Sequence, residues 1–150
     1  MEGSMISGMK AGISAAMLCA VGAGVNPAMA DESLIEPLVV SRGDLSEYLW
    51  TNRVVLIFAP SAQDPDYRVA SEMIVERRSG LRERDIVVLA ETAPEQGGVL
   101  RVKFGVDGFR MLLIGKDGGI KMDEPAPIPA ETLFATIDAM PMRQREMGEN

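Results

Sequence analysis

The chain has 150 residues, 15 basic and 22 acidic side chains, a net charge of −7, one cysteine and no histidine. The acidic balance argues against nucleic acid or an anionic membrane as partner, because both require a positively charged surface. With one thiol and no imidazole, the chain can build neither a Cys/His zinc site nor a histidine-assisted nucleophile.

The first thirty residues have the pattern of a cleavable export signal. Lys10 is a short basic region, residues 11–25 form an uncharged apolar run, and Ala28-Met29-Ala30 is a small-x-small cleavage triplet. The apolar run is shorter than the about 20 residues that a membrane span needs. We therefore predict a signal peptide over residues 1–30, a single mature domain over residues 31–150, and no membrane span.

Export would place the mature domain in the periplasm of a Gram-negative host or outside the cell. Cys19, the only cysteine, would leave with the signal peptide, so the mature domain would have neither a thiol nor a disulfide. Leu18 precedes it where a lipoprotein signal needs a small residue, so no lipid anchor is expected. Translation can begin at Met1, Met5 or Met9.

The mature chain begins with an edge strand, a short helix and a buried strand. Leu38-Val39-Val40 can form the edge strand, and Asp44 can cap a short helix that ends near Trp50. Val54 to Ala59 is a continuous apolar run, typical of a strand buried on both faces.

A long helix and a second strand follow. Asp64 suits the N-cap and Pro65 the first helical position, and Ser79-Gly80 is predicted to end the helix. Residues 85–91 have the pattern of another buried strand. The apolar residues that repeat at helical spacing are Tyr67, Ala70, Met73 and Ile74.

The sequence of residues 94–139 predicts a short helix, a hairpin and a last helix. The short helix falls within residues 94–104, and residues 110–115 form the third strand. Asp117-Gly118 predicts a tight turn into residues 119–122. After a proline-rich loop, residues 131–139 show one apolar helical face.

This order predicts an α/β fold with a four- to five-stranded mixed central sheet and helices on both faces. A right-handed crossover makes the first two buried strands parallel, and the hairpin adds an antiparallel pair. The expected order across the sheet, a thioredoxin-like layout, is 86–90, 54–59, 110–115 and 119–122.

Four segments, "RVVLIFAP", "RDIVVLAE", "LLIGKDGGIKM" and "IDAMPMRQREM", together resemble a family of small secreted domains of unknown function, the DUF4174 type. Related domains occur in bacterial exported proteins and at the carboxy end of animal sushi-repeat extracellular proteins. The resemblance covers residues 34 to 147. It implies a peroxiredoxin- or thioredoxin-like fold and no particular chemistry.

The resemblance also indicates where redox chemistry would lie. Thioredoxins place cysteines five and eight positions after the strand phenylalanine, and counted from Phe58 these positions hold Gln63 and Asp66. Peroxiredoxins place threonine and cysteine four and seven positions after the following proline, where this chain has Asp64 and Tyr67. Neither alignment contains sulfur. We therefore predict no catalytic residue, no cofactor and no metal ligand.

The polar side chains after the strand of residues 54–59 are candidate ligand-binding residues. They lie beside a predicted helix N-terminus, which favours a small ligand site. The alternative is that Asp64 caps the helix and the others are solvated, and two carboxylates are too few for calcium. The residues of this strand-end rim are Ser61, Gln63, Asp64, Asp66 and Tyr67.

Four arginines near the end of the long helix are a candidate docking patch for an acidic partner. The alternative is that they complement the negative end of the helix dipole. The four residues are Arg77, Arg78, Arg82 and Arg84.

Methionines of the tail allow a third interpretation. Met140, Met142 and Met147 can offer thioether ligands to Cu(I), although packing onto the sheet is the alternative.

The function that the sequence favours is an exported, non-redox, thioredoxin-like domain that binds an unknown protein or small ligand and is not an enzyme. The alternatives are a cysteine-independent enzyme or peroxide-related protein, and a methionine-based Cu(I) binder.

Overall fold

The computed structural model describes residues 34–38 and 42–150, which form five strands, five α-helices and two 3-10 turns. The strands are β1 (Ile35–Pro37), β2 (Arg53–Phe58), β3 (Ile86–Glu91), β4 (Arg110–Ile114) and β5 (Ile120–Glu124). The helices are α1 (Pro65–Glu76), α2 (Arg78–Glu83), α3 (Val99–Lys103), α4 (Ala130–Asp138) and α5 (Pro141–Gly148). The 3-10 turns are Ser46–Tyr48 and Pro94–Gln96.

The strands form one mixed sheet in the order β1-β3-β2-β4-β5. β1, β3 and β2 are parallel, while β4 is antiparallel to both β2 and β5. The predicted order of the four inner and hairpin strands is confirmed. The edge strand lies at 35–37 rather than 38–40; Leu38 still donates its N–H to the carbonyl of Ala90, and Val39 and Val40 lie outside the described residues.

β2 is the middle strand, and all six of its residues are buried. Val55 and Ile57 face a core formed with α1, α2 and α4. Leu56 and Phe58 face a second core formed with α3 and the first 3-10 turn. Burying each such side chain contributes about 1.5–3 kcal/mol, so apolar packing on both faces fixes this strand.

α1 begins as predicted, because the Asp64 carboxylate accepts the Tyr67 N–H at 3.0 Å and Pro65 occupies the first turn. The predicted end of this helix is wrong. α1 ends at Glu76, and Gly80 lies inside the next helix, α2. A Cβ at Gly80 would come within 2.7 Å of the Phe134 ring, so this glycine permits close packing of α4 rather than ending a helix.

The hairpin forms at the predicted turn. Gly118 has a φ of 81°, which glycine adopts without strain, and the Asp117 carboxylate accepts the Gly119 N–H at 3.0 Å. The last predicted helix is α4. Pro141 then opens a further helix, α5, which the sequence analysis did not predict.

Candidate functional site

Contacts within the loop itself hold the strand-end rim at the carboxyl end of β2. Ser61 accepts the Asp64 N–H through its carbonyl at 3.2 Å and the Gln63 N–H through its hydroxyl at 3.3 Å. Tyr67 is half-buried against the core, whereas Gln63 and Asp66 are exposed. The structure therefore brings the rim residues together as a helix cap, and their role in ligand binding stays a prediction.

The four arginines of the predicted docking patch have different surroundings. Arg84 donates to both carboxylate oxygens of Asp138, at 2.9 and 2.6 Å, and these bonds hold the pKa of that carboxyl below its usual value. Arg77 pairs with Glu131 at 2.6 Å. Two of the four thus connect their helix end to α4. The two remaining residues, both exposed, are Arg78 and Arg82.

A buried ion pair that the sequence analysis missed closes the carboxyl end of β2. Glu91, the last residue of β3, accepts a hydrogen bond at 2.5 Å from Nε of Arg101 on α3. Arg101 also donates to the carbonyl of Ala59 at 3.0 Å, and its guanidinium lies 5.4 Å from the Phe58 ring centroid. We call Glu91 and Arg101 the clasp, because they fasten α3 to the ends of β2 and β3.

The clasp needs a glycine beside it. A Cβ at Gly98 would overlap Oε2 of Glu91, the carboxylate oxygen that Arg101 does not bond. This oxygen is buried and accepts no hydrogen bond from the described residues. Since an unsatisfied buried acceptor costs about 1–3 kcal/mol, the strand end holds a polar group whose burial is only partly compensated.

A cavity of about 360 Å³, the apolar cavity, lies at the opposite, amino end of β2. The first 3-10 turn, α3 and the β4–β5 turn form its walls, on the sheet face that α3 covers. Its apolar and aromatic lining includes Leu45, Tyr48, Leu49, Leu100, Phe104, Ile114 and Ile120. Polar groups enter the lining from Asp44, Ser46, Asn52 and Lys103.

Trp50 follows Leu49, a residue that lines this cavity, directly in the chain. Its side chain is 67% exposed, and its φ of 66° lies in the left-handed region, which costs a non-glycine residue about 1–2 kcal/mol. The Trp50 N–H donates to the carbonyl of Lys116 at 2.7 Å, and this bond helps to hold the strained turn. The only tryptophan of the chain is therefore exposed, one residue after the cavity-lining Leu49.

A second cavity of about 220 Å³, the basic cavity, lies at the same end of β2 on the other face of the sheet. Gly115 lines both cavities, so the β4–β5 turn forms a shared wall. The other lining residues are Arg53, Lys116, Asp117, Lys121, Met140, Pro141, Met142 and Arg145.

Glu146 of α5 binds several cations beside the basic cavity. Lys116 donates to it at 2.7 Å, Arg53 donates at 3.2 and 3.3 Å, and Arg143 lies 3.6 Å away. Burial raises the pKa of the Glu146 carboxyl, but the bonds from Lys116 and Arg53 outweigh it, so the pKa is lowered. Burial likewise lowers the pKa of Lys116, but bonds to Glu146 and Asp85 raise it overall.

Residues 34–38 and 42–150 contain neither a candidate metal site nor a candidate membrane span. No group of three or more His, Cys, Asp or Glu side chains within these ranges is placed to hold a metal ion. No helix within them is long and apolar enough to cross a membrane.

Comparisons with known proteins give one family match and two similar structures. Residues 44–146 match the family described as "Domain of unknown function (DUF4174)". The structure is similar to the reduced 2-Cys peroxiredoxin of Plasmodium vivax, with a TM-score of 0.51 and 14% identity over 69% of this chain and 84% of that chain. It is also similar to a structure described as a malarial protein, with a TM-score of 0.49 and 17% identity over 59% of this chain and 96% of that chain. The peroxiredoxin match confirms the predicted thioredoxin-like fold.

Proposed function

Since this chain belongs to the DUF4174 family of domains of unknown function, we propose that it is an exported binding domain that acts without cysteine. Its single cysteine, Cys19, falls in the predicted signal peptide. At the strand-end position, Asp64 caps a helix and Tyr67 packs against the core. The clasp beside them is a buried ion pair. These residues support binding over thiol redox chemistry.

The observation that carries the proposal is the apolar cavity. Its volume of about 360 Å³ falls within the range of roughly 300–1,000 Å³ that small-molecule sites occupy. Such sites are mostly apolar and contain a few polar groups that orient the ligand. Here Asp44 already accepts hydrogen bonds from Ser46, which leaves Lys103 as the cationic group of the lining. The ligand that fits is a small, largely apolar molecule.

Trp50 provides the readout for a direct test. We would titrate the mature domain with cyclohexanol, a neutral apolar probe, and follow both Trp50 emission and the melting temperature. Binding stabilises the folded state by RT ln(1 + [L]/Kd), so saturable binding should raise the melting temperature. Ile120→Phe fills part of the cavity, because Ile120 lines it and is half exposed, and should weaken the response. The matched control is Val102→Phe, since Val102 is exposed and does not line the cavity.

The outcome decides the proposal. Equal responses from the Ile120→Phe and Val102→Phe proteins, or no saturable response in the wild type, would contradict ligand binding in the apolar cavity.

Export is tested separately by mass spectrometry of the secreted protein, which should begin at Asp31. Peroxide consumption with and without a thiol reductant should equal the buffer blank.

Copper binding by the tail methionines is less favoured by their surroundings. Met140 and Met142 both line the basic cavity together with four cationic side chains. A Cu(I) ion placed there would be repelled by those charges at close range. The expected result is that the protein does not retain Cu(I) against a competing chelator.

A further inference from the structure

Cationic side chains converge on the basic cavity although the protein as a whole is acidic. Four cations line it, and three carboxylates pair with them: Lys116 contacts Asp85 and Glu146, and Lys121 contacts Asp117. Glu146 is also shared with Arg53 and Arg143. Glu146 is thus the shared counter-ion of three cations. The cavity therefore carries local positive charge in a chain of net charge −7.

Arg53 is the most buried of these cations. Its side chain is 1% exposed, and its terminal nitrogens donate to the carbonyl of Arg84 and to Glu146. Its Nε is buried and has no hydrogen-bond partner among the described residues. A buried guanidinium with incomplete hydrogen bonds and a shared counter-ion is under-neutralised, and an anion in the adjoining cavity would supply the missing charge.

The start of α5 also contributes positive charge to the basic cavity, independently of the cationic side chains. The first N–H groups of a helix have no intrahelical partner, and together they carry partial positive charge. Met140 stands at the N-cap of this eight-residue helix and makes no side-chain capping bond within the described chain. Met140, Pro141 and Met142 all line the basic cavity. An uncapped helix N-terminus therefore forms one wall of a cavity that cations also line, an arrangement that favours anions.

The same wall decides which kind of anion fits. Met140, Pro141 and Met142 present apolar surface, so a fully hydrated inorganic ion would leave part of the lining without contacts. The volume of about 220 Å³ is below the range of drug-sized ligands. We propose that the basic cavity binds a small organic carboxylate, with its charged group toward the cations and a short apolar group against the α5 wall.

The test compares three probes at constant ionic strength: butyrate, its neutral analogue butyramide, and inorganic phosphate. Calorimetry on the mature domain should detect saturable binding of butyrate and none of butyramide. The Lys121→Gln/Arg145→Gln protein should bind butyrate about tenfold more weakly, because charged hydrogen bonds to the ligand are lost. Both side chains line the cavity near the surface, so the variant is expected to fold.

The matched control, Arg68→Gln/Arg78→Gln, makes the same charge change at exposed residues outside the cavity lining, and should bind butyrate like the wild type. A second variant, Met142→Glu, places a carboxylate in the first turn of α5, where it suits the helix dipole. This internal anion should abolish butyrate binding without lowering the melting temperature. Met147→Glu, at the other end of α5, should bind butyrate normally.

Equal binding of butyrate and butyramide, or phosphate binding without butyrate binding, would overturn the proposal. Unchanged butyrate affinity in both Lys121→Gln/Arg145→Gln and Met142→Glu would overturn it as well. Cyclohexanol binding should be the same in Met142→Glu as in the wild type, because the apolar cavity lies on the other face of the sheet. Failure here is therefore distinguishable from failure of the proposed function.

Discussion

The two ends of β2 use their charged side chains in different ways. At the carboxyl end, Glu91 and Arg101 are both nearly fully buried and pair with each other, and Arg101 closes on the carbonyl of Ala59. At the amino end, the partly exposed Glu146 is shared among several cations, and two cavities adjoin the strand. Protein atoms therefore fill the carboxyl end of β2, whereas the amino end has open cavities and more cations than carboxylates.

The reactive cysteine of related folds and the open cavities of this chain therefore lie at opposite ends of β2. The carboxyl end of β2, followed by the N-terminus of α1, corresponds to the site at which the peroxiredoxin and thioredoxin patterns place cysteine. In this chain that end is closed by the clasp and by the Asp64 cap. Both proposed binding sites lie at the amino end, where the β4–β5 turn, α3 and α5 meet the strand without filling the space between them.

The largest effect should come from breaking the clasp. Arg101→Met leaves the Glu91 carboxylate buried without its cation, which should lower the free energy of unfolding by about 3–5 kcal/mol in urea denaturation. The double variant Glu91→Leu/Arg101→Met removes both charges and should recover most of that loss. A loss below about 1 kcal/mol for the single variant would mean that the carboxyl end is not closed by this pair.

A smaller effect is expected from crowding the clasp. Gly98→Ala places a Cβ against Oε2 of Glu91, and overpacking of this kind should cost about 1–3 kcal/mol in the same assay. Gly148→Ala is the control, because its added Cβ meets no atom of the described chain within 4 Å other than those of its chain neighbours and its own helix backbone. The control should be neutral or slightly stabilising, since alanine favours a helix. Equal stability of the two variants would contradict the tight contact at Gly98.

The smallest effect concerns Glu146 and depends on pH. Its pKa is lowered in the folded state, so its contribution to stability is present above the unfolded pKa of about 4.3 and is lost as pH falls through the folded value. Glu146→Gln should therefore cost about 1 kcal/mol at neutral pH and progressively less below about pH 4. Glu149→Gln, an exposed neighbour on the same segment, is the control. A difference between wild type and Glu146→Gln that does not shrink in acid would contradict the ion cluster.

Much of the fold could be predicted because its signals are local. The apolar run of β2 and the Asp117-Gly118 turn each determine structure through residues that are adjacent in the chain. Gly80 shows where local signals fail. A glycine after a helical pattern is typical both of a helix end and of close packing, and here the position of Phe134, far along the chain, decides between them.

The candidate sites were harder to predict because they depend on long-range packing. Glu91 is the last residue of an apolar strand pattern, and Arg101 lies in a glycine-rich segment, so neither indicates its partner before α3 folds against β2. The cavities are gaps between elements rather than motifs. The four cations of the basic cavity come from three separate parts of the chain: the start of β2, the β4–β5 turn region and α5.

The two outer strands of the sheet affect how readily the protein aggregates at high concentration. β1 and β5 are the outer strands of the sheet, and an outer strand can template pairing with another chain. β1 has only three residues and ends in Pro37, which has no N–H to donate. β5 carries Lys121, Asp123 and Glu124, and Arg110 holds Asp123 through two hydrogen bonds. Short length, proline and charge make both edges poor templates, so this mixed sheet is protected against edge-to-edge aggregation.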